Sequence, residues 1–288
     1  MAERLNGPVI LALGGGAARG LAHIGVLRGL AEDGVVLAGV AGTSMGSIIG
    51  GLAAQGLSPD EIASVFEDVD WPTVGRILLR SVVGSAFHEL VRETLGDGRI
   101  EQLGLPFAAV CCDLDTAEPV VLRSGSLADA VRASSAIPGI LSPIRIGGRT
   151  LVDGAVVDPV PFAAAAELGP HRVLGVNVLR PPASYAIAAP PLPPARRPGV
   201  RSAARNRLDR WLMRQPRASA SDDPNGPRRW EVVMRSFHIM QYQLAASRHA
   251  EADSIEPDVG RFGWFDFPRV GEIIDEGYLA YRRRFRPG

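Results

Sequence analysis

Two short apolar runs near the start of the chain, each followed by a helical pattern, define its first sixty residues. Val9–Leu13 and residues 36–41 are uninterrupted apolar stretches of strand length, which is typical of strands buried on both faces. Apolar residues recur at helical spacing over residues 21–32 and again over residues 44–54. The order strand, helix, strand, helix predicts a parallel sheet with right-handed crossovers, and therefore an α/β fold.

Further elements are expected along the rest of the chain. Helical spacing of apolar residues predicts helices over residues 59–68, 74–95, 127–133, 230–249 and 270–284. Apolar or alternating runs predict strands over residues 107–112, 120–123 and 173–178, and a hairpin over residues 144–152 that turns at Gly147 and Gly148. Ser58 is the expected cap of the helix that starts at residue 59.

The composition changes between residues 181 and 227. Proline, serine, alanine and arginine dominate this stretch and apolar periodicity is sparse, which indicates a linker or a disordered insertion. We therefore predict a core over residues 1–180, this linker over residues 181–227, and a helical segment over residues 228–288 that completes the same domain.

Bulk composition narrows the class of protein only slightly. The chain has 288 residues and a formal net charge of zero, so it can form one large domain, or at most two, and has no overall field that would recruit nucleic acid. Its two cysteines, Cys111 and Cys112, are adjacent, which disfavours a disulfide and lacks the spacing of a metal site. Because the sequence shows neither a secretory leader nor a span of ~20 apolar residues, we expect a cytoplasmic protein. The cysteine spacing leads us to expect no metal site, and we also expect no cofactor.

The clearest chemical signal is the sequence Gly-Thr-Ser-Met-Gly at residues 42–46. It places Ser44 between Gly42 and Gly46, directly after a predicted strand and before a predicted helix. A sharp strand-to-helix turn holds a serine hydroxyl ready for attack, and the two glycines avoid the clashes that Cβ atoms would make there. The dipole of the helix favours the negative charge that develops during acyl transfer. Ser44 is therefore the candidate nucleophile.

A glycine-rich segment precedes this turn and reads Gly14, Gly15, Gly16, Ala17, Ala18, Arg19, Gly20. Such a segment offers backbone N–H groups to a negative charge, and the N–H groups of Gly15, Gly16 and Ala17 are the candidate oxyanion hole. A dinucleotide fingerprint would carry an acidic residue at the end of the second strand, and a P-loop would carry a lysine, but the sequence has neither. Three roles stay open for Arg19: it fixes the loop, it contacts an anionic substrate, or it is a solvated charge of the loop.

The candidate general base is Asp153, which follows a predicted strand and precedes Gly154 on a tight turn. The ordinary pKa of an aspartate, about 3.9, is low for this task, so the role requires burial in an apolar pocket to raise it. Other bases stay open on the sequence alone. They are the aspartates Asp113, Asp115 and Asp158 and the histidines His23, His88, His171, His238 and His249.

Together, these blocks resemble the patatin-like phospholipases. The segments that are similar to that family, in order, lie at residues 11–27, 42–46, 132–139, 153–155 and 257–260. The resemblance covers roughly residues 9–180 and 230–280. One departure is Ala17, which stands at the middle glycine of the family's Gly-x-Gly-x-x-Gly pattern.

The resemblance implies a three-layer α/β/α fold with a mostly parallel central sheet. It also implies a Ser44–Asp153 dyad that hydrolyses fatty-acyl esters, such as phospholipids or lysophospholipids, without histidine or metal. The residues that would support these motifs are Gly14, Arg19, Gly20, Gly42, Gly46 and Gly154. Two alternatives are an esterase of the α/β-hydrolase type, with His171 or His238 in a triad, and a catalytically silent lipid-binding module on the same fold.

A lipid substrate requires access to an interface, and two stretches are candidates for contact with an anionic membrane surface. Residues 66–87 carry Trp71 and several aliphatic residues, a pattern that is more typical of a helix packed in the core. Residues 201–215 place Leu208, Trp211 and Leu212 on one helical face among five arginines. We expect peripheral contact at the inner membrane face, and the sequence does not indicate an oligomeric state.

Overall fold

A mixed sheet of eight strands lies at the centre of the described part of the chain. The structure is a computed structural model that describes residues 5–69, 71, 90–181, 229–249 and 253–285. The strands are β1 Val9–Leu13, β2 Leu37–Thr43, β3 Phe107–Asp113, β4 Pro119–Leu122, β5 Ile144–Ile146, β6 Arg149–Asp153, β7 Arg172–Val176 and β8 Ser254–Ile255. They follow the order β5-β6-β3-β2-β1-β7-β8, with β4 paired to β3 off this path.

Parallel pairing dominates the middle of the sheet, and antiparallel pairing dominates one of its ends. β1 lies parallel between β2 and β7, β3 runs parallel to β2, and β8 runs parallel to β7. β4, β5 and β6 make the antiparallel pairs. The mostly parallel sheet is confirmed, and so is the hairpin, in which Gly147 and Gly148 adopt positive φ values of 59° and 81°.

Helices pack on both faces of the sheet. They are α1 Ala22–Glu32, α2 Met45–Ala54, α3 Pro59–Glu67, α4 Leu127–Ser134, α5 Phe162–Ala166, α6 Arg229–His249 and α7 Val270–Arg284. Odd-numbered residues of β1 belong to a large apolar core with α1, α2, α3, α4 and α7. Even-numbered residues of β1 belong to a smaller core with Ala164 and Ala165 of α5, because successive side chains of a strand point to opposite faces. The predicted three layers are therefore present.

Two glycines bring α1 and α7 into backbone contact. A Cβ atom at Gly25 would overlap the Ile274 carbonyl oxygen, and one at Gly277 would overlap the carbonyl oxygen of Ala22. Small residues at such a crossing allow close approach, and α7 thereby fixes the C-terminal segment to the first helix of the core.

Most predicted elements are present within a few residues of their expected ends. The cap of α3 is a full capping box, in which Ser58 Oγ accepts from the Glu61 N–H and the Glu61 carboxylate accepts from the Ser58 N–H. Two elements, α5 and β8, were not predicted. The helix predicted over residues 74–95 lies largely outside the described residues, as does almost all of the linker predicted over residues 181–227.

Candidate active site

The register of the sheet brings Ser44 and Asp153 together. β2 ends at Thr43, which is paired with Val110 of β3. The next residue of β3, Cys111, is paired with Asp153, the last residue of β6. Because β2 runs parallel to β3 and β6 runs antiparallel to β3, the C-terminal ends of β2 and β6 meet beside β3. Ser44 follows the last residue of β2 and therefore lies next to Asp153, the last residue of β6.

Ser44 lies on the sharp turn that the sequence predicted. Its backbone has φ 54° and ψ −124°, a strained conformation for a residue with a side chain. A Cβ atom at Gly42 would overlap the Gly46 carbonyl, and one at Gly46 would overlap the Leu13 carbonyl, so both positions require glycine. α2 begins at the next residue and directs its N-terminal end at the serine.

The Ser44 hydroxyl donates a hydrogen bond directly to the Asp153 carboxylate, with 2.7 Å between Oγ and Oδ2. The other carboxylate oxygen, Oδ1, accepts from the Ala155 N–H at 2.9 Å, which fixes the orientation of the group. Asp153 is buried, and burial raises the pKa of its carboxyl from 3.8 to about 6, although both hydrogen bonds act in the opposite direction. An aspartate with this pKa is a much better proton acceptor near neutral pH than an exposed one.

A second serine, Ser134, holds the backbone of Ser44 in place. Its Oγ accepts from the Ser44 N–H at 3.0 Å and donates to the Val110 carbonyl at 2.7 Å. Nearby, the Asp153 N–H donates to the Ala136 carbonyl at 3.0 Å. Residues 132–139 entered the sequence interpretation only through the family resemblance, and the structure shows that this segment contacts the backbone of both Ser44 and Asp153.

The glycine-rich segment lies against the nucleophile. A Cβ atom at Gly15 would be 3.3 Å from Ser44 Cβ and 3.1 Å from Ala155 Cβ. The Gly15 N–H donates to the Pro159 carbonyl at 2.9 Å, which removes Gly15 from the predicted set of oxyanion donors. Among the described residues, the N–H groups of Gly16 and Ala17 have no hydrogen-bond partner, so they are the available donors. Ala17 has φ 49°, which accounts for the glycine of the family pattern at this position.

Buried polar residues support this loop. Arg19 is fully buried, and its Nε donates to the Phe262 carbonyl at 2.8 Å, so it fixes the loop to the C-terminal segment. His23 is also fully buried and donates from Nε2 to the Gly14 carbonyl at 2.7 Å, and burial lowers the pKa of its ring to about 4. Gly20 and Gly154 allow close packing, since Cβ atoms there would overlap Met45 and the Val110 carbonyl, respectively.

The alternative bases lie elsewhere or are engaged in other contacts. His171 directly precedes β7, at the edge of the sheet opposite to Ser44, and His238 Nε2 lies 3.1 Å from the Arg180 carbonyl. Asp113 Oδ1 accepts from the Asp115 N–H at 3.0 Å, as expected of a turn residue. No described histidine hydrogen-bonds to Ser44 or Asp153. His88 and the side chain of His249 lie outside the described residues.

An apolar cluster adjoins the glycine-rich segment. Ala17, Met234 of α6 and Trp264 form its buried part, against which Ile137, Ile140, Phe237 and Phe265 pack. The Ala18 N–H donates to the Trp264 carbonyl at 3.2 Å, which ties the loop to this cluster. Apart from Ala17 and Ile137, the members of this cluster were not assigned to the site from the sequence, because they come from three separate segments and carry no motif of their own.

Within the described residues, no group of three or more histidine, cysteine, aspartate or glutamate side chains is placed to hold a metal ion. None of the described helices combines the length and the hydropathy needed to cross a bilayer.

Comparison with known sequences shows that the segment containing most of the site matches one protein family. The family model for patatin-like phospholipases matches residues 11–166, which include Ser44 and Asp153. An uncharacterized NTE family protein of Mycobacterium tuberculosis is 39% identical over 176 residues, covering 59% of this chain and 49% of that protein. A second such protein of the same organism is 31% identical over 296 residues, covering 98% of this chain and 47% of that protein.

The similarity extends to animal proteins and to a solved structure. Patatin-like phospholipase domain-containing protein 6 of Mus musculus is 35% identical over 195 residues, covering 62% of this chain and 14% of that protein. The crystal structure of VipD from Legionella pneumophila matches with a TM-score of 0.51 at 12% identity, covering 98% of this chain and 67% of that chain, which supports the fold. This chain spans about half the length of the mycobacterial relatives it matches.

Proposed function

Because the chain belongs to the patatin-like phospholipase family, we propose that it is a serine acyl hydrolase that cleaves fatty-acyl esters of lipids with a Ser44–Asp153 dyad. The observation that carries the proposal is the 2.7 Å hydrogen bond from Ser44 Oγ to Asp153 Oδ2. A nucleophile on a strained turn, bonded to a buried carboxylate with a raised pKa, is the arrangement that acyl transfer needs.

The proposed reaction has two stages. Ser44 Oγ attacks the ester carbonyl carbon while its proton passes to Asp153, and the oxyanion accepts hydrogen bonds from the N–H groups of Gly16 and Ala17. Collapse of this intermediate breaks the ester bond, and Asp153 returns the proton to the leaving alcohol. Asp153 then takes a proton from water as the water oxygen attacks the carbonyl carbon of the acyl-enzyme. The bond from that carbon to Ser44 Oγ breaks as Asp153 returns the proton to Oγ, which releases the fatty acid and restores both residues.

A fatty-acyl substrate fits the surroundings of the loop. The apolar cluster of Ala17, Met234 and Trp264 lies beside the proposed oxyanion donors, and its partly buried members add further apolar surface. Such surface favours an aliphatic chain over a polar acyl group. We also propose a cytoplasmic location with peripheral contact to anionic membrane, and phospholipid or lysophospholipid as the substrate class.

The test uses the full chain with a fluorophosphonate probe and a soluble p-nitrophenyl ester. We expect the probe to label the wild type and not Ser44→Ala, and we expect Asp153→Asn to lose hydrolysis by about 100-fold or more. His171→Gln and His238→Gln are the matched controls and should keep the wild-type rate. Loss of activity in either histidine variant would favour a triad, and a wild type that neither labels nor hydrolyses would favour a silent lipid-binding module.

A further inference from the structure

Helix α6 exposes apolar side chains on the side that faces away from the protein. Val232, Val233, Ile239 and Met240 are 47%, 61%, 42% and 63% exposed. They repeat at a spacing of seven residues, which places them on one face of the helix. We call these four residues the α6 outer face. Half of the large apolar residues that are exposed in the described part of the chain belong to it.

The opposite face of α6 is fixed to the candidate active site. Met234 packs against Ala17 and Trp264, beside the proposed oxyanion donors. Towards the other end of the helix, Arg248 Nη1 donates to the Val157 carbonyl at 2.8 Å, four residues after Asp153. The α6 outer face is therefore connected through one rigid helix to the segments that carry both halves of the site.

The charge of α6 restricts what this face can bind. The α6 sequence contains three arginines and one acidic residue, Glu231, which precedes the outer face, and the outer face itself carries no charge. Arg235, which is exposed, lies on the same helix beside it. An uncharged apolar face flanked by arginine suits the boundary between anionic headgroups and acyl chains.

We propose that the α6 outer face docks onto lipid surfaces that contain anionic headgroups and so presents the dyad to its substrate. This inference rests on the proposed function, which supplies the lipid ester as the substrate. The α6 outer face differs from the two stretches that the sequence predicted for membrane contact. Of those stretches, Phe66 and Trp71 pack in the core, and residues 201–215 lie outside the described residues.

The size of the face favours a lipid surface over a second copy of the chain. Four side chains that are about half exposed form a patch of a few hundred Å², the size of an ordinary functional patch. A stable protein–protein interface buries about 800 Å² on each partner, which is well beyond what these residues supply. Shallow insertion into a lipid surface needs only such a strip of apolar side chains.

The first test measures sedimentation of the full chain with vesicles of phosphatidylglycerol and phosphatidylcholine in equal parts. We expect Val233→Gln/Met240→Gln to bind about tenfold more weakly than the wild type, since two inserted apolar side chains are lost. The matched control is Val36→Gln, because Val36 is 62% exposed but precedes β2, at the sheet edge opposite to Ser44. The control should bind like the wild type, and thermal unfolding should show that all three proteins are folded.

The second test follows the face itself with an environment-sensitive fluorophore. Cys111 and Cys112 are buried, so a label can be directed to Met240→Cys or to Val36→Cys. We expect a blue shift on adding vesicles only for the label at residue 240. A label at 240 that is already blue-shifted in buffer would overturn the proposal, because another part of the chain, or a second copy seen as a dimer in sedimentation, would then cover the face.

The docking inference and the proposed chemistry fail in different ways. Ser44→Ala should bind vesicles like the wild type, since docking does not use the nucleophile. Vesicle binding that depends on the α6 outer face in a protein that no probe labels would refute the hydrolase and leave the docking surface standing. Equal vesicle binding by the wild type and Val233→Gln/Met240→Gln, or no binding by either, would refute the docking surface.

Discussion

Asp153→Asn should stabilise the folded protein increasingly as the pH rises. Asp153 is buried, and no positively charged group among the described residues is bonded to its carboxylate, so its ionisation in the folded state is unfavourable. Asparagine keeps a similar shape and has a carbonyl to accept from the Ala155 N–H, but it cannot ionise. The substitution thus removes the buried charge with little change in packing.

The magnitude follows from the shift in pKa. Burial raises the pKa of Asp153 from 3.8 to about 6, so the folded state holds a proton that the unfolded state has lost between these two values. Below about pH 3.8 the carboxyl is protonated in both states and contributes no penalty. Stability then falls as the pH rises through this window, and above about pH 6 the penalty is complete at about 3 kcal/mol.

Urea unfolding of the wild type and Asp153→Asn across this pH range measures the effect. The difference in free energy of unfolding should grow in favour of Asp153→Asn by about 3 kcal/mol between about pH 3 and about pH 8. Ser134→Ala is the control, because it removes a neighbouring polar group and keeps the carboxyl, so its pH dependence should follow that of the wild type. A difference that is flat with pH, or that favours the wild type at high pH, would refute the assignment of a raised pKa to Asp153.

Three further predictions concern the reaction and the packing. The kcat/KM for a soluble ester should rise with pH to a plateau, with its midpoint at about pH 6, because Asp153 must be ionised to accept the Ser44 proton. A midpoint near pH 3.8, the ordinary pKa of an aspartate, would contradict this. Ser134→Ala should lower kcat by about tenfold with little change in KM, since the Ser44 N–H loses its acceptor, and Ser134→Thr, which keeps Oγ, should restore part of the rate. In thermal unfolding, Gly277→Ala should be less stable than the wild type by about 3 kcal/mol, because the added Cβ atom would overlap α1. The control Gly271→Ala, on the same helix, has open space around the added Cβ atom and should be as stable as the wild type or slightly more stable. Equal effects of the two substitutions would refute the close contact between α1 and α7.

Secondary structure was predicted well where the spacing of apolar residues agreed with a capping or turn residue at the end of the element. Val9–Leu13 is apolar throughout and ends in glycines, and α3 has its capping box, so both elements were predicted with nearly correct bounds. α5 escaped prediction because Phe162–Ala166 is short and almost entirely alanine, which gives no contrast between its two faces. α6 was predicted as a helix, but its outer face was not, because apolar residues lie on both sides of it.

The residues of the candidate site were also predictable where they carry a local sequence signal. The contact between Ser44 and Asp153 was predictable because each residue has a local signature, a serine between two glycines and an aspartate before a glycine at a strand end. The proposed oxyanion donors were predictable only as a group. Gly15 differs from Gly16 through a single acceptor, the carbonyl of Pro159, and nothing near residue 15 in the sequence indicates that residue 159 will lie beside it.

Ala17 links the chemistry to the proposed docking surface. Its backbone adopts a positive φ of 49°, which a glycine would accept with less strain, yet its methyl group packs against Met234 and Trp264. The same residue therefore offers an N–H group to the proposed oxyanion and a contact to α6. Because α6 also carries the outer face, a lipid surface that holds this helix in place would also hold the proposed oxyanion donor in place. The alanine at this position thus favours a loop whose geometry depends on α6, and Ala17→Gly should loosen that dependence while keeping the N–H group.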